Sequence, residues 1–452
     1  MAGKYVQDMT EGKELPLLVK FSIPMIIGNI FQQFYNMVDS IIVGHYVGAD
    51  ALAAVGATGS LNFLFFSLCG GMSVGIGILV SQHFGAKEDD YVKKVIANTV
   101  YIMLGIGIIM SILGVVFARP ILALLRTPAE IIDDSTIYMQ IVCAGVLAVA
   151  GYNAISSILR ALGDSKTPLI FLVVASIINV GLDLLFVMEF GLGVSGVAYA
   201  TIIAQSVAAI GSIVFALIKN PYFKIEKEHR KFDKEIIQRS VRLGVPVAAQ
   251  SAMIAMSCIA LQAVVNGFGA VVVAAFTATS RIEQLVQQPF NSVGAAMSTF
   301  AGQNIGAKKI ERVRSGYRKS ISMIAGFSLA MLVVAWTCGK YIMKLFVDDA
   351  EVISLGITAL KITSTMYFPL GMIYITRGLL NGSGDAFYAM INGVVELLGR
   401  VIFPVLLVMI PMIGVWGVWL ATGFTWIIAA LASIIRYRQG KWMYKSAVMR
   451  ET

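Results

Sequence analysis

The sequence predicts an all-α integral membrane protein with twelve transmembrane helices in two six-helix lobes, related by a pseudo-two-fold axis along the membrane normal. Composition is the first reason: 58% of the 452 residues are hydrophobic and 13% are charged, whereas soluble proteins carry about 25% charged residues. The second reason is the length of the apolar runs, such as residues 137–159, because about 18 apolar residues suffice to cross a bilayer. The third reason is an internal repeat.

Twelve apolar segments follow one another along the chain, separated by short polar connections. Residues 1–218 are predicted to form the N-terminal lobe, residues 219–235 a basic cytoplasmic linker, and residues 236–452 the C-terminal lobe with a basic tail. The predicted spans are 16–44, 51–82, 95–118, 136–160, 168–190, 195–218, 240–266, 271–304, 319–342, 355–379, 387–411 and 414–436.

Lys and Arg are distributed unequally between the two sides of these spans. The N-terminus, the even-numbered connections and the C-terminal tail hold most of them, and the opposite side holds only Arg119, Arg126, Lys340 and Lys344. Positive residues concentrate in cytoplasmic connections, so both termini are predicted to lie in the cytoplasm and the protein in the cell membrane. The same bias explains the net charge of +9 without a nucleic-acid partner.

The two halves of the chain repeat each other at an offset of about 221 residues. The matching motifs include residues 82–87 on 303–308, 163–164 on 384–385 and 193–201 on 414–422. Pro24 meets Pro246 only at an offset of 222, which predicts a one-residue gap before Gly48. Because six spans return the chain to its starting side, the repeats are predicted to insert in the same orientation, an architecture of known transporters.

Polar residues lie inside two spans of the first lobe. Gln32, Asn36 and Asp39 share one helix face, and Asn179 and Asp183 do so in the fifth span. Ionisable residues at membrane depth are costly and indicate function by default. Two carboxylates in one lobe are expensive unless they share a proton or a cation. The alternatives are an aspartate wetted by headgroups and a purely structural polar network.

The repeat shows that this acidic cluster is confined to the first lobe. Asp39 aligns with Ala260 or Leu261, Asn179 with Arg400, and Asp183 with Pro404. This asymmetry predicts cation coupling in the first lobe and other contacts in the second. There, Glu396 and Arg400 stand at i and i+4 and either pair along their helix or contact the substrate.

With these residues in view, the chain resembles the multidrug and toxic compound extrusion (MATE) family. The resemblance covers nearly the whole length and is carried by the motifs PMIIGNIFQQFYNMVDSIIVG, SQHFGAKE, GQNIGAKK, LRALGDSKTP and NVGLDLLFVMEFGLGVSGVAYAT. It implies twelve helices in two six-helix lobes. It also implies export of organic cations or other amphipathic compounds in exchange for Na⁺ or H⁺, with no other cofactor.

The resemblance assigns cation coupling to Asp39, Asn179, Asp183 and Thr201, which would also be the metal ligands if the ion is Na⁺. In the NorM-type branch an acid follows the seventh-span proline by two turns, but here Met253 and Ile254 stand there. The pattern therefore looks closer to the DinF type and favours H⁺. The candidate substrate or cavity residues are Gln32, Tyr35, Asn36, Met253, Arg281, Gln284, Gln288, Glu396 and Arg400.

The predicted function is secondary active multidrug efflux, an antiport that works by rocker-switch alternating access. The expected partners are small organic substrates and membrane lipid, with the chain acting as a monomer. A flippase for lipid-linked precursors is the alternative, but it would be expected to need a strongly cationic cavity. An enzyme is disfavoured, because the three histidines have no metal-ligand spacing and no G-x-S-x-G motif occurs.

Overall fold

A computed structural model of the chain describes residues 5–125 and 127–448; Arg126, one of the predicted outer cations, lies outside them. The described residues form fourteen α-helices and no strand. The first seven helices are α1 (Glu14–Ile42), α2 (Ala49–Gly85), α3 (Asp89–Leu124), α4 (Ile132–Ala144), α5 (Val146–Ala161), α6 (Lys166–Leu184) and α7 (Gly193–Lys219). The last seven are α8 (Lys234–Asn266), α9 (Ala270–Gly306), α10 (Ile310–Lys344), α11 (Ala350–Ser364), α12 (Tyr367–Gly382), α13 (Ala386–Val408) and α14 (Gly417–Arg438).

These helices account for the twelve predicted spans. Among the described residues, nine helices are long and apolar enough to cross a membrane, and α4 with α5, bent by 47° between them, forms a tenth span. The other two predicted spans are α9, which is polar in its middle, and the short pair α11 and α12. Joining α4 to α5 and α11 to α12 turns fourteen helices into twelve segments. The predicted all-α membrane class is therefore confirmed.

The internal repeat is confirmed by the backbone. Lys87 and Lys308 are the non-glycine residues with positive φ in the described chain, at 64° and 59°, and they stand 221 residues apart. Such a conformation is uncommon for a residue with a side chain, so its recurrence reports the same turn in both halves. Positive φ also recurs at the glycine pairs 48 and 269, 163 and 384, and 193 and 414.

A π turn lies in the interval where the one-residue gap between the repeats falls. The chain continues from α1 into a π turn at Val43–Val47, and a π turn holds one residue more than an α turn between bonded groups. We place the extra residue of the first half there, which aligns Asp39 with Leu261. Leu261 is 5% exposed and packs in an apolar cluster with Val265 and Trp419. The fold therefore accepts a leucine at the position where the first half has an acid.

The chain divides into two compact units. Unit 1 contains Met1–Asp8 and Ile23–Ala248, and unit 2 contains Met9–Ser22 and Ala249–Thr452. Each unit therefore includes the segment that leads into the first helix of the other repeat. The lobe boundaries predicted from the sequence, at residues 218 and 236, remain a prediction.

Side-chain amides hold these two leading segments. In unit 2, Gln303 accepts a hydrogen bond from the backbone N–H of Met9 at 2.8 Å, and the Asn304 amide donates to the carbonyl of Met9 at 3.1 Å. In unit 1, Asn98 donates to the carbonyl of Lys231 at 3.1 Å and accepts from the backbone N–H of Asp233 at 2.9 Å. In both units, side-chain amides thus hydrogen-bond to the backbone of the segment that precedes the helix, α1 in one case and α8 in the other.

Replacing Asp164 by Ala is expected to lower the free energy of unfolding by about 2 kcal/mol, because a helix cap is lost. The buried Asp164 carboxylate accepts hydrogen bonds from the first backbone N–H groups of α6, those of Lys166 and Thr167, both at 3.0 Å. Thermal unfolding of the purified protein measures the loss. Asp164→Asn, which keeps an accepting oxygen, should retain most of the stability, and equal losses in both variants would contradict the capping role.

Candidate functional site

Two carboxyl groups meet inside unit 1. Asp39 lies near the end of α1 and Asp183 near the end of α6, and their side chains are within hydrogen-bonding reach of each other. Asp183 is fully buried, and Asp39 is partly buried. In the described part of the chain, the Oδ1 atoms of both residues are enclosed without a hydrogen-bond partner. The helix ends therefore place two acids against each other, with one oxygen of each carboxyl group enclosed.

Asn179 and Thr201 border the carboxyl pair. With the Asn179 amide oriented so that both of its polar atoms find partners, its nitrogen donates to Asp183 Oδ2 at 2.9 Å and its oxygen accepts from the backbone N–H of Thr201 at 3.2 Å. Such an orientation is assigned from the hydrogen-bond network. The Thr201 hydroxyl donates to the carbonyl of Val197 at 3.0 Å. The four residues predicted for cation coupling thus come together from α1, α6 and α7.

Two tyrosines complete the surroundings of the pair. Tyr35, one turn before Asp39 on α1, is within hydrogen-bonding reach of the Thr201 side chain and lies near both carboxyl groups. Tyr138 on α4 is 7% exposed and is close enough to act on Asp39, Asp183 and Tyr35. Tyr138 was not predicted from the sequence, because a tyrosine in an apolar helix does not by itself indicate a functional site.

The two acids share a structural setting, since each precedes a π turn. Val43–Val47 follows α1, and Leu185–Glu189 follows α6. Val43 and Val187, one from each turn, belong with Tyr138 to one buried apolar cluster. π turns inside helices occur frequently at functional sites. The packing of these turns fixes the ends of the helices that carry Asp39 and Asp183.

The carboxyl pair has no positive partner among the residues that the structure describes. Among the described residues, no Lys, Arg or His forms an ion pair with Asp39 or Asp183. Two carboxylates so close together in an apolar site cannot both stay charged unless a cation lies between them. The arrangement can therefore hold a shared proton, or a cation ligated by carboxylate oxygens, which hard ions such as Na⁺ accept.

The remaining first-lobe candidates lie apart from these contacts. Gln32 and Asn36 are exposed on α1, and no contact in the described chain joins their side chains to the carboxyl pair. In unit 2, Arg281 and Gln284 are exposed on α9, and Gln288 and Met253 are partly buried. The contacts described for these residues do not assemble them into one site.

Glu396 has a different principal partner from the one that the sequence suggested. Its carboxylate forms a close ion pair with Arg377 of α12, whereas Arg400, four residues on, approaches only to 4.0 Å. Arg400 instead donates to the Ser257 hydroxyl at 2.9 Å and contacts the Cys258 sulfur at 3.2 Å. The predicted i, i+4 pair is thus secondary, and Arg377 is the closer partner of the buried Glu396.

Comparisons with known proteins agree with this architecture. The protein-family model MatE matches the chain twice, at residues 24–185 and 246–406. The matched segments begin 222 residues apart and end 221 apart, as the repeat requires. "Probable multidrug resistance protein YpnP" of Bacillus subtilis is 30% identical over 96% of this chain and 97% of its own. "Multidrug export protein MepA" of Staphylococcus aureus is 22% identical over 89% and 88%.

Solved structures share the fold over the whole chain. The structure described as "Outward-facing conformation of a multidrug resistance MATE family transporter of the MOP superfamily" has a TM-score of 0.92 at 23% identity and covers all of both chains. At 23% identity, this similarity shows the fold alone. Together with the two matched segments and the 30% identical relative, it shows that the chain belongs to the MatE family, the multidrug and toxic compound extrusion transporters.

Proposed function

We propose that this chain is a secondary active multidrug efflux antiporter, which exports amphipathic organic cations in exchange for H⁺ or Na⁺. Its family is one of transporters, not enzymes, and the names of two relatives describe multidrug resistance and multidrug export. The observation that supports coupling most directly is the Asp39–Asp183 carboxyl pair, which forms no ion pair with a basic side chain of the described residues. Intramembrane acids of this kind mark ion and proton pathways.

In the proposed mechanism, each of the four residues predicted for cation coupling has a role. Asp39 and Asp183 take up the coupling ion, and Asn179 holds Asp183 in place through its amide hydrogen bond. Thr201 fixes the Asn179 amide through its backbone N–H and presents a hydroxyl to Tyr35. If the ion is Na⁺, the Asp39 and Asp183 oxygens bind it, with Asn179 and Thr201 as the remaining ligands.

Ion binding drives transport only if it favours one conformation. A ligand shifts a conformational equilibrium by its differential affinity for the two states. The coupling ion must therefore bind more tightly in the state from which the organic cation has left. Because Asp39 and Asp183 lie on different helices, a change in their charge alters the packing between α1 and α6. In the rocker-switch scheme, that change accompanies alternating access from the cytoplasm to the outside.

The orientation of the chain belongs to the same proposal. With both termini in the cytoplasm of a cell membrane, as the distribution of Lys and Arg predicts, Asp39 lies in the outer half of the bilayer. The coupling ion would then enter from outside, down its gradient, as an exporter requires. We propose that a monomer in lipid carries out this cycle.

Substrate efflux from proteoliposomes tests the proposal. The purified protein is reconstituted, a fluorescent organic cation is loaded, and either a pH gradient or a Na⁺ gradient is imposed alone. We expect one of the two gradients to drive movement of the organic cation against its own gradient. If neither gradient does so, while the same vesicles flip a lipid-linked precursor, antiport is wrong and the flippase alternative is supported.

A further inference from the structure

The linker that precedes α8 is held across one face of α3 in unit 1. The buried Asn98 amide donates hydrogen bonds to the carbonyl of Lys94, on its own helix, at 3.0 Å and to the carbonyl of Lys231, in the linker, at 3.1 Å. One turn further along α3, the Tyr101 hydroxyl donates to the carbonyl of Arg230 at 2.8 Å. These bonds fix the linker backbone at residues 230–231 against α3, between Lys94 and Tyr101.

Two exposed aromatic rings meet at this crossing. Phe232 directly follows Lys231 and is 65% exposed, and its ring centroid lies 5.7 Å from that of Tyr101, which is 42% exposed. Exposed Leu104 and Ile108 continue the same face of α3 beyond Tyr101. Because α3 is long and apolar enough to span a membrane, this apolar face contacts lipid. Aromatic side chains such as tyrosine are enriched at the depth of the headgroups, which places the aromatic pair at the membrane interface.

Positive charge lies next to the aromatic pair. Lys94 stands two turns before Tyr101 on the same face of α3, about 10 Å along the helix, and Lys231 and Lys234 stand on either side of Phe232 in the sequence. All three lysines are exposed, and none of them forms an ion pair with another described residue. The order along α3 is thus charged, aromatic and apolar, which is the order of a bilayer from water to hydrocarbon.

The two acids next to Lys234 in the sequence have other partners. The Asp233 carboxylate accepts hydrogen bonds from the backbone N–H groups of Glu235 and Ile236 at 2.9 and 3.2 Å. The Glu235 carboxylate forms an ion pair with Arg239 at 2.6 Å. The positive charge of the lysines therefore remains available for an anionic ligand.

We propose that Lys94, Lys231 and Lys234 bind the phosphate headgroup of an anionic phospholipid, whose glycerol and acyl-chain region packs on Tyr101 and Phe232. Basic residues at a membrane surface attract anionic headgroups, and here three of them border an aromatic pair at the same interface. A zwitterionic lipid brings a quaternary or primary ammonium group as well, which would lie among the lysines. The site therefore prefers phosphatidylglycerol to phosphatidylcholine.

The other repeat has different residues at the two aromatic positions. At the offset of 221 residues Tyr101 aligns with Ser322, and at the offset of 222 that applies before the gap Phe232 aligns with Thr10. Thr10 is 3% exposed, so the segment that leads into α1 buries the position at which the linker presents a phenylalanine. The repeated fold therefore does not require the aromatic pair, whereas contact with lipid accounts for its exposure.

Native mass spectrometry of the full-length protein in detergent tests the site. The protein is titrated with phosphatidylglycerol and with phosphatidylcholine of the same acyl chains, and we expect phosphatidylglycerol to bind more tightly. A triple variant, Lys94→Gln, Lys231→Gln and Lys234→Gln, should lose about fivefold in affinity for phosphatidylglycerol with each lysine removed. Its affinity for phosphatidylcholine should change little, so the preference between the two lipids should disappear.

A second triple variant provides the control for charge. Lys219→Gln, Lys224→Gln and Lys227→Gln remove the same charge from exposed positions of the same linker and should retain the preference for phosphatidylglycerol. Equal losses in the two triple variants would mean that binding follows net charge, and this result would overturn the proposal.

Two further measurements separate the lipid from its headgroup. Phe232→Ala keeps every charge and should weaken both lipids alike, because it removes aromatic surface from the site; unchanged binding of both lipids would contradict the packing on the aromatic pair. Excess inorganic phosphate should leave phosphatidylglycerol bound, and complete displacement would show a site for free phosphate instead of a lipid. Size-exclusion elution of each variant establishes that it is folded, and none of these results depends on antiport.

Discussion

Replacing Asp39 by Asn is expected to reduce gradient-driven efflux to the level of protein-free liposomes, while the amount of protein in the membrane stays the same. Asn has nearly the same shape and still offers an accepting oxygen to its surroundings, but it cannot take up a proton or carry a charge. Asp183 then faces a neutral amide and no longer shares an ion with a second acid. Asp183→Asn is expected to have an effect of the same size.

An acid outside the carboxyl pair provides the control for this result. Asp50 is exposed in the first turn of α2 in the same unit, so Asp50→Asn should leave efflux unchanged. Accumulation of a fluorescent organic cation in proteoliposomes, under whichever gradient drives the unaltered protein, measures all three variants. Full activity of Asp39→Asn would show that coupling does not require the carboxyl pair.

The parts of the fold that the sequence predicted depend on hydrophobicity and repetition. Apolar runs of sufficient length give spans wherever they occur, and this is why most span boundaries fall within a few residues of the observed helices. Hydropathy by itself is weak for α9, whose middle contains Arg281, Glu283 and several glutamines. The repeat locates it nevertheless, because residues 303–308 at its end match residues 82–87 at the end of α2.

The sequence predicted those features of the candidate cation site that lie within a single helix. Asp39 stood out in the sequence as an acid in a spanning helix, and Asp183 stood out with Asn179 one turn before it. The spacing of polar residues within a helix shows a shared face, but it does not show which faces of different helices meet. That the two acids come within hydrogen-bonding reach is therefore a result of helix packing.

The residues that sequence reasoning missed all depend on contacts between helices. Tyr138 has its role only because α4 packs against the ends of α1 and α6 in the apolar cluster with Val43 and Val187. Arg377 was not singled out in the sequence, and its pairing with Glu396 joins α12 to α13. Glu283 was not singled out in the sequence, and only the structure shows that its Oε1 atom is enclosed without a hydrogen-bond partner among the described residues.

Replacing Gly378 by Leu is expected to destabilise unit 2 by at least about 3 kcal/mol, because overpacking a close helix contact forces the backbones apart. Gly378 and Gly382 lie four residues apart on α12, and a Cβ atom on either would overlap a backbone carbonyl oxygen of α9, that of Gly294 or of Ser298. Helices in membranes associate through such small residues, since no hydrophobic driving force holds them together in lipid.

The destabilisation by Gly378→Leu can be separated from a general intolerance of larger residues in membrane helices. Gly326 on α10 of the same unit has no atom within 4 Å of the position that a Cβ would occupy, so Gly326→Leu should leave the thermal unfolding midpoint unchanged or slightly raised. Unfolding of the detergent-solubilised protein, followed by size-exclusion chromatography after heating, compares the two. Because the clash involves backbone oxygens, which cannot rotate away as a side chain can, Gly378→Ala should also lower the midpoint, by less than Leu does. A Gly378→Leu protein as stable as the Gly326→Leu protein would mean that α9 and α12 do not pack backbone to backbone.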